Sequence, residues 1–480
     1  FKQKTAYEIM PSLVGSEMCI RDRNDYKTAM IAALLASQMN MPLLVEGAFE
    51  PEALNCKEVY VVSDRGLLGL EPGTRSEINL RAQGVQELTP LEAYQQYMSL
   101  ASPRNLILVN PRDLDFGKPW EITTRTSGHR VDTFGGNSLV APYLALAKNE
   151  TILFAEVEEA PPNSGCYEIP RINERIDEVD SIVNQAFQSG QLLEGREMDY
   201  LTIIAAPNAI PDSYFISCSG EAQYRQEVDS RYADVDGHDM YYGRIYGLTV
   251  SDTSAYVARS VFCNELWGQL YEDYGRRGMV IGHSFRECMD TARSIAANTR
   301  DSGYSITCVT GGTREGCSVG TAPPNSSDYQ YRQFITFCDH GWPGGWAHTL
   351  NSWDIPFVQL PVVFGQACLT NNFWQGRQNT MGPRWIRYGA IAYFGAVGVS
   401  TICVDSTWCG CPEYDEKRAI RKLTEPEGVF KTLGQVHKEM DRCHDASGIF
   451  CVSEECDYHD HFLLLGDPLL DPKLPVVEGW

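Results

Sequence analysis

The stretch FITFCDHGWPGGW, residues 334–346, places chemically capable side chains directly after a strand. Its first four residues are the aromatic and β-branched types of a buried strand, and GWPGG cannot continue one. The strand therefore ends on the Asp-His-Gly of residues 339–341. Because α/β proteins commonly hold their functional groups where a strand leads into a glycine-rich loop, His340 is a candidate catalytic residue.

A second stretch, VVFGQACLTNNFW at residues 362–374, repeats this arrangement with a cysteine. If the two strands are parallel neighbours, the side chains of His340 and Cys368 emerge at the same edge of the sheet. An imidazole beside a thiol lowers the pKa of the thiol and can later protonate a leaving amine. The alternative is a structural cysteine, since cysteine is among the residues most often buried.

Gly341 adds a further element to this candidate site. Attack on an amide carbonyl creates an oxyanion, which backbone N–H groups stabilise best where no side chain blocks their approach. The N–H groups of Gly341 and Cys368 are the candidates for this oxyanion hole.

Length and charge restrict the class of protein. A chain of 480 residues exceeds the roughly 250 to 300 residues of a single core, and 43 % apolar with 21 % charged residues is typical of a folded protein. The net charge of −23 argues against nucleic acid as a partner, because phosphate binding needs clustered positive charge. No uninterrupted apolar run reaches about 18 residues, so no membrane span is predicted.

Sixteen cysteines are typical of an extracellular protein with disulfides. Without Cys19 and Cys368 there remain 14, enough for seven disulfides. A C-terminal group of cysteines and histidines matches none of the paired zinc-binding spacings, so local disulfides are favoured and a zinc site is the alternative. Its members are Cys403, Cys409, Cys411, Cys443, His444, Cys451, Cys456, His459 and His461.

The first 23 residues are interpreted as a non-native leader. They lack an initiator methionine, and EIMPSLVGSEMCIRDR at residues 8–23 resembles translated sequencing adaptor. They are therefore excluded from the fold prediction.

The remaining sequence predicts an α/β protein made of two consecutive doubly wound subdomains with mostly parallel sheets. In residues 24–195, AALLASQMNMPLLV (32–45) and APYLALAKNETILF (141–154) both indicate a helix followed by a strand. In residues 196–475, apolar strands alternate with helices predicted over 253–274 and 286–299, as in parallel sheets covered on both faces. The predicted strands of this half lie within 199–211, 278–284, 304–311, 333–341, 357–368 and 389–398.

The second half resembles the gingipain-type cysteine peptidases. The matching segments occur in the order of that family: IIAAPNAIP (203–211), YADVDGHDMYYGRIYGLTVSD (232–252), FITFCDHG (334–341), LPVVFGQACLTNNF (360–373), GAIAYFGAVGVS (389–400) and LLLGDPLLDP (463–472). The resemblance implies a caspase-like fold, His340 as general acid/base, Cys368 as nucleophile, protein or peptide substrates, no required cofactor, and an extracellular or cell-surface location.

The sequence departs from the family where supporting residues are expected. The position of the carboxylate that supports the catalytic histidine corresponds here to His283. Members that recognise a basic P1 side chain have an acid in the next helix, for which Asp290 or Glu287 is the nearest candidate. An acid in the first turn of a helix is also favoured by the helix dipole alone. Trp346, and Trp342 before it, could wall the substrate cleft or pack the loop.

Asp234, Asp236 and Asp239 in the string DVDGHD could bind a structural calcium ion, since alternating aspartates around a glycine offer oxygen ligands. A solvated acidic turn is the alternative. The sequence thus predicts a secreted cysteine endopeptidase. The other hypotheses are a catalytically inactive binding or surface module of the same family and a zinc-dependent hydrolase built on the C-terminal cluster.

Overall fold

The computed structural model describes residues 18–21, 26–45, 58–65, 72–114, 116, 121–123, 130–132, 136–161, 168–188, 193, 195–217, 224–235, 237–301, 303–320, 324–372, 380–398, 419–420, 423, 432–441 and 462–472. It divides into two compact units, one of residues 1–106 with 139–154 and the other of residues 107–138 with 155–480. This division does not coincide with the predicted boundary at residue 195.

The described helices are α1 (Tyr26–Gln38), α2 (Pro72–Arg81), α3 (Pro90–Ala101), α4 (Ala141–Lys148), α5 (Ile169–Gln188), α6 (Asp229–Ala233), α7 (Val250–Val261), α8 (Cys263–Tyr274), α9 (Arg286–Asp301), α10 (Met381–Arg387) and α11 (Leu433–Asp441).

The described strands are β1 (Met18–Arg21), β2 (Leu43–Val45), β3 (Glu58–Val62), β4 (Gly84–Leu88), β5 (Asn105–Val109), β6 (Glu121–Thr123), β7 (Arg130–Asp132), β8 (Glu150–Phe154), β9 (Tyr200–Ile204), β10 (Ser213–Ser217), β11 (Tyr224–Glu227), β12 (Asp234–Val235), β13 (His238–Asp239), β14 (Tyr241–Ile245), β15 (Arg277–Gly282), β16 (Ser305–Thr310), β17 (Ser318–Val319), β18 (Phe334–Cys338), β19 (Gly341–Trp342), β20 (Gly345–Trp346), β21 (Leu350–Asn351), β22 (Val362–Gln366), β23 (Ala392–Ala396) and β24 (Phe462–Gly466).

The first unit contains a parallel sheet in the order β2-β1-β3-β4. Helix α3 begins at a capping box, in which Thr89 and Glu92 satisfy each other's backbone N–H groups, and it buries Tyr94 and Tyr97. Residues Met18–Arg21, which the sequence analysis excluded with the leader, form the strand between β2 and β3. The origin of the leader itself stays a prediction.

The sheet of the second unit holds the predicted functional strands. It runs in the order β17-β16-β15-β18-β22-β23-β24-β14-β9, and the strands from β17 to β23 are parallel to one another. Strand β24 is antiparallel to β23. Every residue of β18, β22 and β23 is buried, which is why these strands read as uninterrupted apolar runs. The α/β class and the mostly parallel sheet are thereby confirmed.

The helix predicted over residues 253–274 is instead the pair α7 and α8. Phe262 separates them with backbone angles of φ −102° and ψ 17°, and its side chain is 49 % exposed. Sequence periodicity missed this break because the buried residues Tyr256, Cys263 and Trp267 keep helical spacing across it.

A fully buried ion pair joins strand β14 of the second unit's sheet to the start of helix α6. Arg244, in β14, donates from Nε and Nη2 to the two carboxylate oxygens of Asp229, at 2.9 and 2.5 Å. The remaining donors reach the backbone oxygens of Ala205, Ile210 and Pro211. Arg244 therefore holds the segment that follows β9 in place.

Between described residues of the second unit, two disulfides are formed, Cys288 to Cys338 and Cys308 to Cys317. Cys263 is buried and belongs to neither. The C-terminal cysteine and histidine group lies outside the described residues, so both its disulfides and its zinc alternative stay predictions. Among the residues with described structure, no helix is long and apolar enough to cross a membrane.

Candidate active site

The ends of β15, β18 and β22 bring three predicted site residues to one edge of the sheet. These strands are adjacent and parallel, with Gly282 paired to Cys338 and Cys338 paired to Gln366. His340 and Cys368 each lie two residues beyond their paired strand ends, and His283 directly follows β15. The register therefore places the histidine and the cysteine at corresponding positions on neighbouring strands.

The backbones of the two loops touch beside these residues. A Cβ atom on Gly341 would lie 2.6 Å from Cβ of Ala367 and 3.0 Å from the carbonyl oxygen of Cys368, so only glycine fits there. The two N–H groups predicted to form the oxyanion hole thus belong to backbone segments in close approach.

The immediate surroundings of Cys368 hold it at a sharp turn. Its side chain is half-buried and takes part in no disulfide. The next residue, Leu369, has φ of 63°, in the left-handed region that residues other than glycine rarely adopt. Its N–H donates to Gly398 O at 2.8 Å, and the Thr370 hydroxyl donates to Ala367 O at 3.2 Å. Such local strain is typical of functional sites, and sequence reasoning gave no signal of it.

His340 is exposed to solvent, and an aromatic side chain orients it. The ring of Phe285 meets the imidazole edge-on, with ring centroids 4.7 Å apart. Phe285 lies in the loop between β15 and α9. Sequence reasoning missed this contact because the two residues are 55 positions apart and only the strand order brings them together.

Asp339 is a buried carboxylate at the candidate site that the sequence analysis did not single out. It is 1 % exposed, accepts a hydrogen bond from the His340 N–H at 2.7 Å, and accepts another from the Ser284 hydroxyl at 3.0 Å. Ser284 itself has φ of 50°. Asp339 therefore joins the exits of β15 and β18. The available signal was its position, an acid at the end of an otherwise apolar strand.

His283, the predicted replacement for the supporting carboxylate, is buried with 3 % exposure. Burial lowers the pKa of His283 because the charged imidazolium is less well solvated. The negative charge of Asp339 raises this pKa and His348 lowers it further, so that the net shift is downward. Its Nε2 atom has no hydrogen-bond partner. A neutral imidazole supplies no negative charge to His340, and Asp339 is the buried carboxylate beside both loops.

The two acids considered for P1 specificity lie in the first turns of α9. Glu287 is half-buried. Asp290 accepts a hydrogen bond from Arg314 Nε at 2.8 Å, and Arg286 Nε lies 3.5 Å from its other oxygen. Asp290 is thus paired with two arginines within its own segment, and the P1 role of Asp290 or Glu287 stays a prediction.

Trp346 does not line a cleft. It is 1 % exposed, stacks on Phe337 at 4.5 Å between ring centroids, and donates its indole N–H to the Tyr393 hydroxyl at 3.2 Å. Trp342, by contrast, is 44 % exposed. The structure thus assigns the two tryptophans of this loop to opposite environments.

The predicted calcium ligands lie in the hairpin of β12 and β13. Asp234 and Asp239 are directly paired there, and Asp239 forms an ion pair with Lys438. Asp236 lies outside the described residues, so the calcium site stays a prediction. Within the described ranges, no group of three or more potential metal-ligating side chains is found.

The sequence and the structure were also compared with those of known proteins. The sequence matches the model of peptidase family C25 over residues 176–473, a segment that contains all three strand exits. A search of curated proteins gives no match. Among solved structures, the chain is similar to "Cwp6 from Clostridium difficile", with 10 % identity, a TM-score of 0.29, and coverage of 85 % of this chain and 52 % of that one. The chain thus spans about half the length of that protein.

Proposed function

Since this chain belongs to peptidase family C25, the gingipain family, we propose that it is a cysteine-type endopeptidase acting through His340 and Cys368. Membership of this family supports cysteine peptidase activity and implies that the substrates are proteins or peptides. The two residues and their roles are our proposal.

One observation carries the assignment. His340 and Cys368 occupy corresponding positions two residues past the paired ends of β18 and β22, where Gly341 closely approaches the Cys368 backbone. Parallel register fixes this correspondence because a shift of one residue would reverse the side-chain directions. No other cysteine thiol of the described residues lies at this edge, since Cys263 begins α8 and is buried.

In the proposed mechanism, the Cys368 thiolate attacks the scissile carbonyl carbon, and the carbonyl electrons move onto its oxygen. The N–H groups of Gly341 and Cys368 stabilise this oxyanion. As the tetrahedral intermediate collapses, the C–N bond breaks and the imidazolium of His340 gives its proton to the departing amine. Water, deprotonated by His340, then attacks the thioester and releases the acid product with the Cys368 thiol.

Asp339 and Phe285 complete the proposed site as positioning residues. Asp339 fixes the main chain of His340 through its N–H, and Phe285 restricts the imidazole ring from the side. An extracellular or cell-surface location fits the two disulfides, which persist in oxidising compartments.

The test uses the full chain and a fluorogenic peptide library varied at P1. We expect Cys368→Ala and His340→Ala each to reduce kcat/KM by about 10³-fold or more, as removal of a nucleophile or its base does in other peptidases. Cys263→Ala is the matched control, because it deletes a thiol away from the sheet edge and should retain activity.

A second readout does not depend on the choice of peptide. Iodoacetamide should alkylate Cys368 faster than a model thiol in the unaltered protein, and His340→Ala should remove this acceleration. Absence of cleavage at every P1, together with alkylation no faster than that of the model thiol, would refute the peptidase and leave an inactive binding module of the family.

A further inference from the structure

The loop that begins at His340 is a tight hairpin with two distinct faces. Strand β19 pairs with β20, so that Gly341 lies opposite Trp346 and Trp342 lies opposite Gly345. Residues paired across an antiparallel ladder place their side chains on the same face, and successive residues alternate between faces. Gly341 and Trp346 therefore share one face, and Trp342 and Gly345 share the other.

The burial of the two tryptophans shows which face is which. Trp346 is buried against Phe337, Tyr393 and Trp385, so its face of the hairpin packs on the sheet. Trp342 is 44 % exposed, so its face is open to solvent. His340 precedes Trp342 by two residues. The main-chain oxygen of His340 accepts a hydrogen bond from the Ala347 N–H, so the ladder of β19 and β20 extends by one further pair of residues. By the same alternation, the exposed His340 and Trp342 belong to the open face.

The hairpin is shaped to hold the exposed indole. A Cβ atom on Gly345 would lie 2.4 Å from Cζ2 of Trp342, so the ring lies across the glycine backbone. The turn residues Pro343 and Gly344 restrict the two strands that meet there. An indole supported on one side and exposed on the other offers a rigid apolar surface next to the catalytic edge.

From this geometry we propose that Trp342 forms the subsite for an apolar or aromatic substrate side chain on the leaving-group side of the scissile bond. The proposal rests on the proposed function, in which His340 protonates the leaving amine. Two strand residues span about 6.5 to 7 Å, which is also the spacing of alternate side chains in an extended peptide. A substrate that runs along this open face from a leaving amine at His340 brings its P1′ or P2′ side chain to the indole.

The experiment compares Trp342→Ala and Trp342→Phe with the unaltered protein, using quenched peptides varied separately at P1, P1′ and P2′. Trp342→Ala should lower kcat/KM about tenfold for peptides with Phe or Leu at the preferred primed position, and little for those with Gly or Ser. Trp342→Phe should retain most of the preference, because the aromatic surface remains. Phe357→Ala is the matched control, since Phe357 is 72 % exposed but precedes β22 at the opposite edge of the sheet.

The outcomes separate this proposal from the proposed function. If the unaltered protein cleaves none of the peptides, the peptidase assignment fails. If it cleaves them and Trp342→Ala keeps the same primed-side preference, or changes the P1 preference alone, the subsite is overturned while the peptidase stands. A changed sedimentation coefficient with unchanged selectivity would also overturn it, because the indole would then cover a contact between two copies of the chain.

Discussion

Arg244 and Asp339 are both charged and almost completely buried, with 0 % and 1 % exposure, yet their surroundings differ in how many hydrogen bonds are made. Arg244 uses all three of its nitrogens, towards Asp229 and three backbone oxygens. Asp339 accepts one bond from the His340 backbone and one from Ser284, and the neighbouring His283 leaves Nε2 without a partner.

The difference separates a structural charge from a charge placed at a site. A buried ion pair with every donor satisfied fixes one conformation, and removing one partner leaves an uncompensated charge. At the end of β18 the polar groups are fewer, partly unsatisfied, and adjacent to an exposed histidine and a half-buried thiol. We therefore expect substitutions at the first region to affect stability and those at the second to affect turnover.

We expect the largest effect from Arg244→Met, which should lower the stability of the fold. Leaving the Asp229 carboxylate buried without its partner should reduce the free energy of unfolding by about 3 to 5 kcal/mol. Urea denaturation followed by circular dichroism measures this loss. The double variant Arg244→Met with Asp229→Leu should recover a large part of it, and a loss below about 1 kcal/mol in the single variant would contradict the structural role.

Asp339→Asn should have a smaller effect, on kcat. Asparagine has nearly the same shape but is uncharged, so it holds the loops of His340 and Ser284 less firmly. We expect kcat to fall about 10- to 100-fold with little change in KM, as when hydrogen-bonded supporting groups are removed from other sites. Steady-state kinetics measure the two constants.

Ser284→Ala, which removes a single bond to the same carboxylate, should lower kcat less than Asp339→Asn does. If Asp339→Asn raises KM at constant kcat, Asp339 has a structural role like that of Arg244. The same conclusion follows if Asp339→Asn lowers the melting temperature as strongly as Arg244→Met does.

The smallest effect concerns the pH dependence of stability through His283. The pKa of His283 is lower in the folded protein than its value of about 6.5 in the unfolded chain. Just below pH 6.5 the unfolded chain therefore binds a proton at this residue more readily than the folded protein does. The contribution of neutral His283 to stability is therefore present above this pH and is lost as the pH falls through it. His283→Gln should lose less stability than the unaltered protein between pH 7.5 and 5.5, measured by urea denaturation at each pH.

His238→Gln is the control, since this histidine contacts Phe187 in another part of the unit. Equal pH dependence of His283→Gln and the unaltered protein would show that His283 is protonated in the fold without cost.

The strands and their ends were predictable from the sequence for a physical reason. Buried parallel strands are uninterrupted apolar runs, and the polar or glycine residues that end them are visible as breaks, which located His340 and Cys368. Strand β4, with the sequence GVQEL and no buried residue, has no such signal and was not predicted.

Contacts between distant segments could not be read from the sequence in the same way. The environments of Trp342 and Trp346 depend on which residues pair across their hairpin, and composition does not give that pairing. The burial of Asp339 depends on β15 and β22 lying on either side of β18. The sequence shows which segments are strands, but it does not show the order in which they lie in the sheet.

The disulfide between Cys288 and Cys338 ends two residues before His340 and ties the end of β18 to α9. Both sulfurs belong to buried residues, with 0 % and 6 % exposure, whereas the Cys368 thiol is half-buried. An oxidant therefore reaches the Cys368 thiol more readily than a reductant reaches the buried disulfide. In the proposed enzyme this arrangement sets two redox limits: conditions that oxidise Cys368 would remove the proposed nucleophile, and conditions strong enough to open the disulfide would loosen the strand that precedes His340.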